Sequence, residues 1–151
     1  MANEAKWTYA TQVTLESSGA SGANTVFIQA DDTNLDSTGH SNYPYADFVL
    51  KTNGFGAAIA STGSPSINLY RVDQNIDGTA GDAPVPTASN RSLFVGTFVV
   101  PLSAASTGNL YLPVTDVPLS SDQYFYVENQ SGQSLTAGWT LKVTPKSLVP
   151  T

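Results

Sequence analysis

Apolar and polar residues alternate along this chain with a period of two. Trp7, Tyr9, Val13 and Leu15 share one parity, while Thr8, Gln12, Thr14 and Glu16 take the other. Trp139, Leu141 and Val143 repeat the scheme against Thr140, Lys142 and Thr144. Successive side chains of an extended strand point to opposite faces, so this pattern places one set on a core and the other in water. No segment carries a 3.6-residue apolar stripe beyond a turn or two. The alternation therefore predicts an all-β fold, and it puts Trp7 and Trp139 among the core residues.

Nine strands are expected: Lys6–Glu16, Thr25–Ala30, Tyr45–Thr52, Ala57–Ser61, Ser66–Val72, Arg91–Leu102, Asn109–Val114, Gln123–Glu128 and Leu135–Thr144. Asn53-Gly54 reads as a hairpin turn, because both residues tolerate positive φ. Many short strands joined by turns describe an antiparallel β-sandwich, jelly-roll-like, forming a single domain over residues 1–151. Met1–Ala5 and Ser147–Thr151 are expected as loose, flexible tails. A chain of this length buries about two-thirds of its unfolded surface, so it needs no staples. It has no cysteine, which removes disulfides and thiolate metal sites from consideration.

One strand breaks the alternation. In Leu93-Phe94-Val95-Gly96-Thr97-Phe98-Val99-Val100 both parities are apolar, so both faces need cover. The sandwich core covers one; a long loop or a neighbouring subunit covers the other. Phe94, Phe98 and Val100 are accordingly the interface candidates, and self-association, as a homotrimer, is expected. Gly96 marks a bulge or a close backbone approach.

Chemistry is sparse. A formal charge of −6, with six basic residues scattered from Lys6 to Lys146, argues against a nucleic-acid partner. The longest apolar runs fall far short of the ~20 residues that span a membrane. The start lacks the basic-then-apolar order of a secretory signal. The single histidine, His40, lies in a small polar loop, and no G-x-S-x-G elbow presents a nucleophile to it. The carboxylates, Glu4, Glu16 and Glu128 included, form no recognisable glycosidase pair. There is no phosphate-cradling glycine loop and no H-E-x-x-H. No catalytic residue and no cofactor are expected; the chain does not read as an enzyme. Asp73, Asn75 and Asp77, followed by Gly78, match the opening half of a calcium loop. Pro84 stands where its bidentate glutamate belongs, so no bound metal is expected. Asp32 and Asp36 echo the motif without the glycine. The aromatics would suit sugar stacking if several shared an exposed face; Tyr43, Tyr45, Tyr124 and Tyr126 are the best placed.

The stretch from Ser66 to Pro145 resembles the head decoration, or cement, proteins of tailed bacteriophages. The residues that carry the likeness begin with Ile67-Asn68-Leu69-Tyr70, the Asp77-Gly78 and Pro84 loop, and Leu93-Phe94-Val95-Gly96-Thr97-Phe98. Val117-Pro118-Leu119, Gln123 to Gly132, Trp139-Thr140-Leu141 and Pro145 complete them. The resemblance implies a jelly-roll-like domain on the outer face of an assembled capsid. There, usually as a trimer, it would clamp neighbouring subunits of the major capsid protein. It also implies a virion location after assembly in the host cytoplasm, and it brings no catalytic residues. A tail or head-fibre component and a carbohydrate-binding β-sandwich are the alternatives.

Overall fold

Alternation becomes burial directly on the strand Tyr45–Lys51. Ala46, Phe48 and Leu50 are enclosed, while Tyr45, Asp47, Val49 and Lys51 face outward. The computed structural model describes residues 5–35, 42–74, 85–91, 94–120 and 122–150, without the side chains of 31–34. Its strands are β1 (Ala5–Tyr9), β2 (Val13–Gly19), β3 (Phe27–Leu35), β4 (Tyr45–Lys51), β5 (Ser66–Gln74), β6 (Phe94–Val99), β7 (Tyr111–Pro118), β8 (Asp122–Gln130) and β9 (Trp139–Pro150). No helix occurs among the described residues.

All strand pairs are antiparallel. One sheet runs β2-β9-β4-β7, with β1 beside the far half of β9; the other runs β3-β8-β5-β6. Two four-stranded sheets in these interleaved orders make an eight-stranded jelly roll, to which β1 is an addition. The expected all-β sandwich is what the chain forms.

The core lies between the sheets. Phe48 of β4 and Phe125 of β8 meet across it with ring centroids 4.9 Å apart. Leu15, Ile67, Leu69, Phe98, Val127, Leu141 and Val143 surround them, fully buried. Trp139, also fully buried, donates its Nε1–H to Ala20 O at 2.8 Å. Its indole lies so close to Gly19 that a Cβ there would overlap it. Asn129, buried on β8, closes one end of the sandwich. Its amide donates to Gly22 O and Gln133 O, and its Oδ1 accepts from the Ser131 N–H and hydroxyl.

Several sequence expectations need correction. The first long strand divides at Ala10–Gln12: β2 pairs with the start of β9, β1 with its end. Ala5 and Ser147–Pro150 are therefore paired rather than loose, because each terminus supplies the other's ladder. Between β2 and β1 the register on β9 slips by one residue, so Trp7 stands opposite Leu148 on the outer face, 37% exposed instead of buried. Ala57–Ser61 forms no strand; Ile59 alone is buried there, and its N–H goes to Ala104 O. Gly54 does adopt a positive φ of 95°, yet no hairpin follows. Strand β4 already has β7 and β9 as neighbours, so the chain leaves the sheet, with Phe55 N–H on Ser106 O.

The two-faced strand is resolved by a bulge. The register slips where Leu69 faces Gly96 and Tyr70 faces Phe94, which turns Phe94 outward. Gly96 also meets Val114 closely. Phe98 and Val100 are in the core, at 0% and 1% exposure. They cannot serve as interface residues, because their surface is already spent on the opposite sheet. Phe94, half exposed, is the member of the trio that a partner could reach.

Candidate interaction face

Two enclosed charges organise the outer faces of the sandwich. On the β3-β8-β5-β6 sheet the charge is Glu128, whose side chain has no exposed surface. Glu128 and Tyr70 have the outward parity of β8 and β5, and the ladder sets Asn68 directly opposite Glu128. The carboxylate accepts from Tyr70 Oη at 2.7 Å, Gln130 Nε2 at 2.7 Å, Asn68 Nδ2 at 3.2 Å and Arg91 Nη2 at 2.5 Å. Burial, the strongest influence, pushes its carboxyl up, but the four donors together outweigh that and hold it below the ordinary value. Burial, and then the bond to Glu128, push the Tyr70 hydroxyl up to about 12. Tyr70, Val72 and Tyr126, with Phe27 and Tyr124 beside them, make a small second apolar cluster on this face. Tyr126, expected at the surface, is thus largely buried, and burial raises its pKa as well. Arg91 ties the segment before β6 to this face.

On the β2-β9-β4-β7 sheet the enclosed charge is Lys146. Its Nζ lies 2.5 Å from Asp47 Oδ1 and 2.6 Å from Asp116 Oδ1, and 4.5 Å from the centre of the Trp7 ring. Trp7 in turn meets Tyr45 edge-on, centroids 6.1 Å apart. A bulge delivers Asp116. Ala46 faces Val117 and Phe48 faces Val114, so two residues, Thr115 and Asp116, stand opposite Asp47 alone. Asp116 sits at φ 60°, a left-handed conformation uncommon outside glycine, and its N–H donates to Asp47 Oδ1 at 3.0 Å. The Lys146 ammonium holds the Asp116 carboxyl below its usual value. For Lys146 itself, burial acts downward most strongly, yet Asp116 and Asp47 together leave it raised. The arrangement is an ion triad under an aromatic lid. Both carboxylates are engaged by the same ammonium, so the triad offers neither a free base nor a nucleophile.

Beyond the triad this face continues through Val49, Lys51, Tyr111, Thr140 and Lys142, which line a shallow cleft of about 270 Å³. Trp7, Tyr45 and Tyr111 thus share one sheet's outer surface, Tyr111 being 67% exposed. Sequence reasoning missed this grouping for Trp7 and Tyr111. The visible signal was the outward parity of Tyr45 and Lys51.

His40, Asn75 and Asp77 lie outside the described residues. Asp73 is described, and its Oδ1 is taken: it accepts from Ser120 Oγ at 2.6 Å and lies 3.7 Å from Arg71 Nε. No group of three or more metal-ligating side chains occurs among the described residues. Gln123 Oε1, buried nearby, has no hydrogen-bond partner among them.

No family model and no curated protein matches the chain. Among solved structures it is similar to one named Desmodium yellow mottle tymovirus, at 12% identity and a TM-score of 0.32, covering 100% of this chain and 90% of that one. A likeness that loose assigns neither family nor function.

Proposed function

We propose that this chain is a non-enzymatic structural protein of a virion, specifically a head decoration protein of a tailed bacteriophage. It binds the outer face of the assembled capsid as a trimer and clamps neighbouring subunits of the major capsid protein. The observation that carries the reading is the strand order. Jelly rolls of this order are shared by viral capsid domains, lectin domains and cupins, so the fold is compatible with the first class without choosing it. The resemblance over Ser66–Pro145 favours the first class. Apolar area buried at such contacts contributes roughly 25 cal/mol per Å² before the costs of ordering.

A protein inventory of purified particles, followed by rebinding of the protein to heads that lack it, tests the proposal. Saturable rebinding to heads is the expected result. Absence from particles would overturn it, and location on the tail would favour a tail or fibre role. The exposed aromatics on one face favour a second reading, a carbohydrate-binding module. Against it, Lys146 occupies one side of the Trp7 ring and Tyr45 abuts it, so these rings do not form a flat stacking platform. Glycan binding without affinity for heads would establish the second reading.

A further inference from the structure

We infer that the outer face of the β2-β9-β4-β7 sheet is a docking surface for an acidic segment of a protein partner, gripped by Lys51 and Lys142 around Tyr111. On the virion reading, on which the identity of the partner rests, this is the face that meets the capsid.

Charge placement is the first ground. The chain carries a net charge of −6, yet all four of its lysines, Lys6, Lys51, Lys142 and Lys146, lie on strands β1, β4 and β9 of this one sheet. The two arginines belong to the other sheet or its flank, and both are engaged, Arg71 by Asp73 and Arg91 by Glu128. Lys146 is neutralised by Asp47 and Asp116. Among the described residues no ion pair reaches Lys51 or Lys142.

Register is the second ground. Lys51 faces Thr140 on β9 and Tyr111 on β7, while Val49 faces Lys142 on one side and Pro113 on the other. The two lysines are therefore diagonal neighbours on adjacent strands, a spacing of roughly 7–8 Å. Their stems thus start close enough for one carboxylate to be reached by both ammonium groups. The acids nearest in the ladder do not fill the role. Asp47 and Asp116 hold Lys146, and Glu16 on β2 turns its Oε1 back to the Ser18 N–H at 2.9 Å. The cleft that both lysines line is open, with exposed Tyr111 on its wall.

These features fit a carboxylate-bearing peptide better than other anions. A nucleic-acid strand needs a longer run of cations than two. A neutral sugar would use the hydroxyls of Tyr111 and Thr140 but leave the two ammonium charges unmatched. Tyrosine beside lysine, with an apolar floor, suits a protein contact of aromatic anchor and charged rim.

The test uses the full chain labelled with ¹⁵N and titrated with hexaglutamate, with hexalysine, hexaglutamine and sialyllactose as comparisons. Hexaglutamate is expected to shift the amides of Lys51, Tyr111, Thr140 and Lys142, less so at high salt. Lys51→Glu with Lys142→Glu should weaken it about fivefold or more, while Lys6→Glu leaves it unchanged. Shifts centred elsewhere, equal response to hexaglutamine, a response to sialyllactose alone, or undiminished binding by the double variant would each overturn the inference. Heads provide the second arm. If wild-type protein binds them and the double variant binds as well, the face is wrong although the virion reading stands. If wild-type protein binds no heads, that reading falls, and the peptide titration still decides the face.

Discussion

Apart from Gln130, Glu128 and Lys146 gain their partners from segments far away in sequence, which is why neither stood out beforehand. Glu128→Gln keeps the shape of the side chain and removes its charge. Hydrogen bonds to charged groups contribute about 1.5–3 kcal/mol, so a loss near 2 kcal/mol is expected in a urea melt, and Arg91→Ala should couple to it in a double-mutant cycle. The pH dependence follows from the same groups. Glu128 is depressed below 4.5 and Asp116 below 3.8, so the unfolded chain binds the proton first. Stability is present above those values and is lost as pH falls through the lower folded ones. Tyr70 is raised from 10.0 to about 12, and Lys146 is raised above 10.5. Their contribution is complete below the unfolded values and is lost as pH rises beyond pH 10. Thermal melts should show a plateau from pH 5 to 9, with an acid limb that shrinks in Glu128→Gln. An undiminished limb would assign acid sensitivity elsewhere. Calcium should leave the melting temperature unchanged, because Asp73 Oδ1 is held by Ser120 and Arg71; a chelator-sensitive rise would show the loop to be a site.

Elements of the fold explain which aromatic changes matter. Phe98 fills the core from β6, whereas the bulge turns Phe94 outward. Phe98→Asp buries a charge without a partner and should cost more than about 4 kcal/mol. Phe94→Asp should fold normally and weaken only self-association, more than Thr140→Asp does, as read by sedimentation. Equal folding losses in both phenylalanine variants would contradict the bulge. Gly19→Ala forces the Trp139 indole aside, an overpacking cost of about 1–3 kcal/mol, and the near-ultraviolet dichroism of that tryptophan should change with it. Deleting residues 1–9 would uncover β9 and remove the ring over Lys146.

For the whole molecule, the open matter is association. The monomer encloses its core without help, so the argument for a trimer from the two-faced strand loses Phe98 and Val100 and retains Phe94. The expected trimer, or a trimer formed on a capsid lattice, is then a property of outer faces rather than of the core. A monodisperse monomer in sedimentation, together with particles on which Phe94 touches no other chain, would exclude it.

The period-two pattern by itself determined the all-β class, because parity alone decides which side of a strand can be buried. It also placed Trp139, Leu141, Val143 and Leu15 correctly. Tertiary structure decided the rest, for a physical reason in each case. Trp7 has the core parity of β2, but the register on β9 slips by one residue across Ala10–Gln12, which turns Trp7 to the outer face beside Lys146. Asn53-Gly54 turns as glycine allows, but pairing depends on which strand edges are free, and both edges of β4 were taken. The bulge at Thr115–Asp116 inverts parity locally with nothing in the residues to announce it, whereas Gly96 marked the one beside it. Glu128 and Lys146 became enclosed charges only when the fold brought Asn68, Tyr70 and Arg91 to the one and Asp47 and Asp116 to the other; of all their partners only Gln130 lies nearby in sequence.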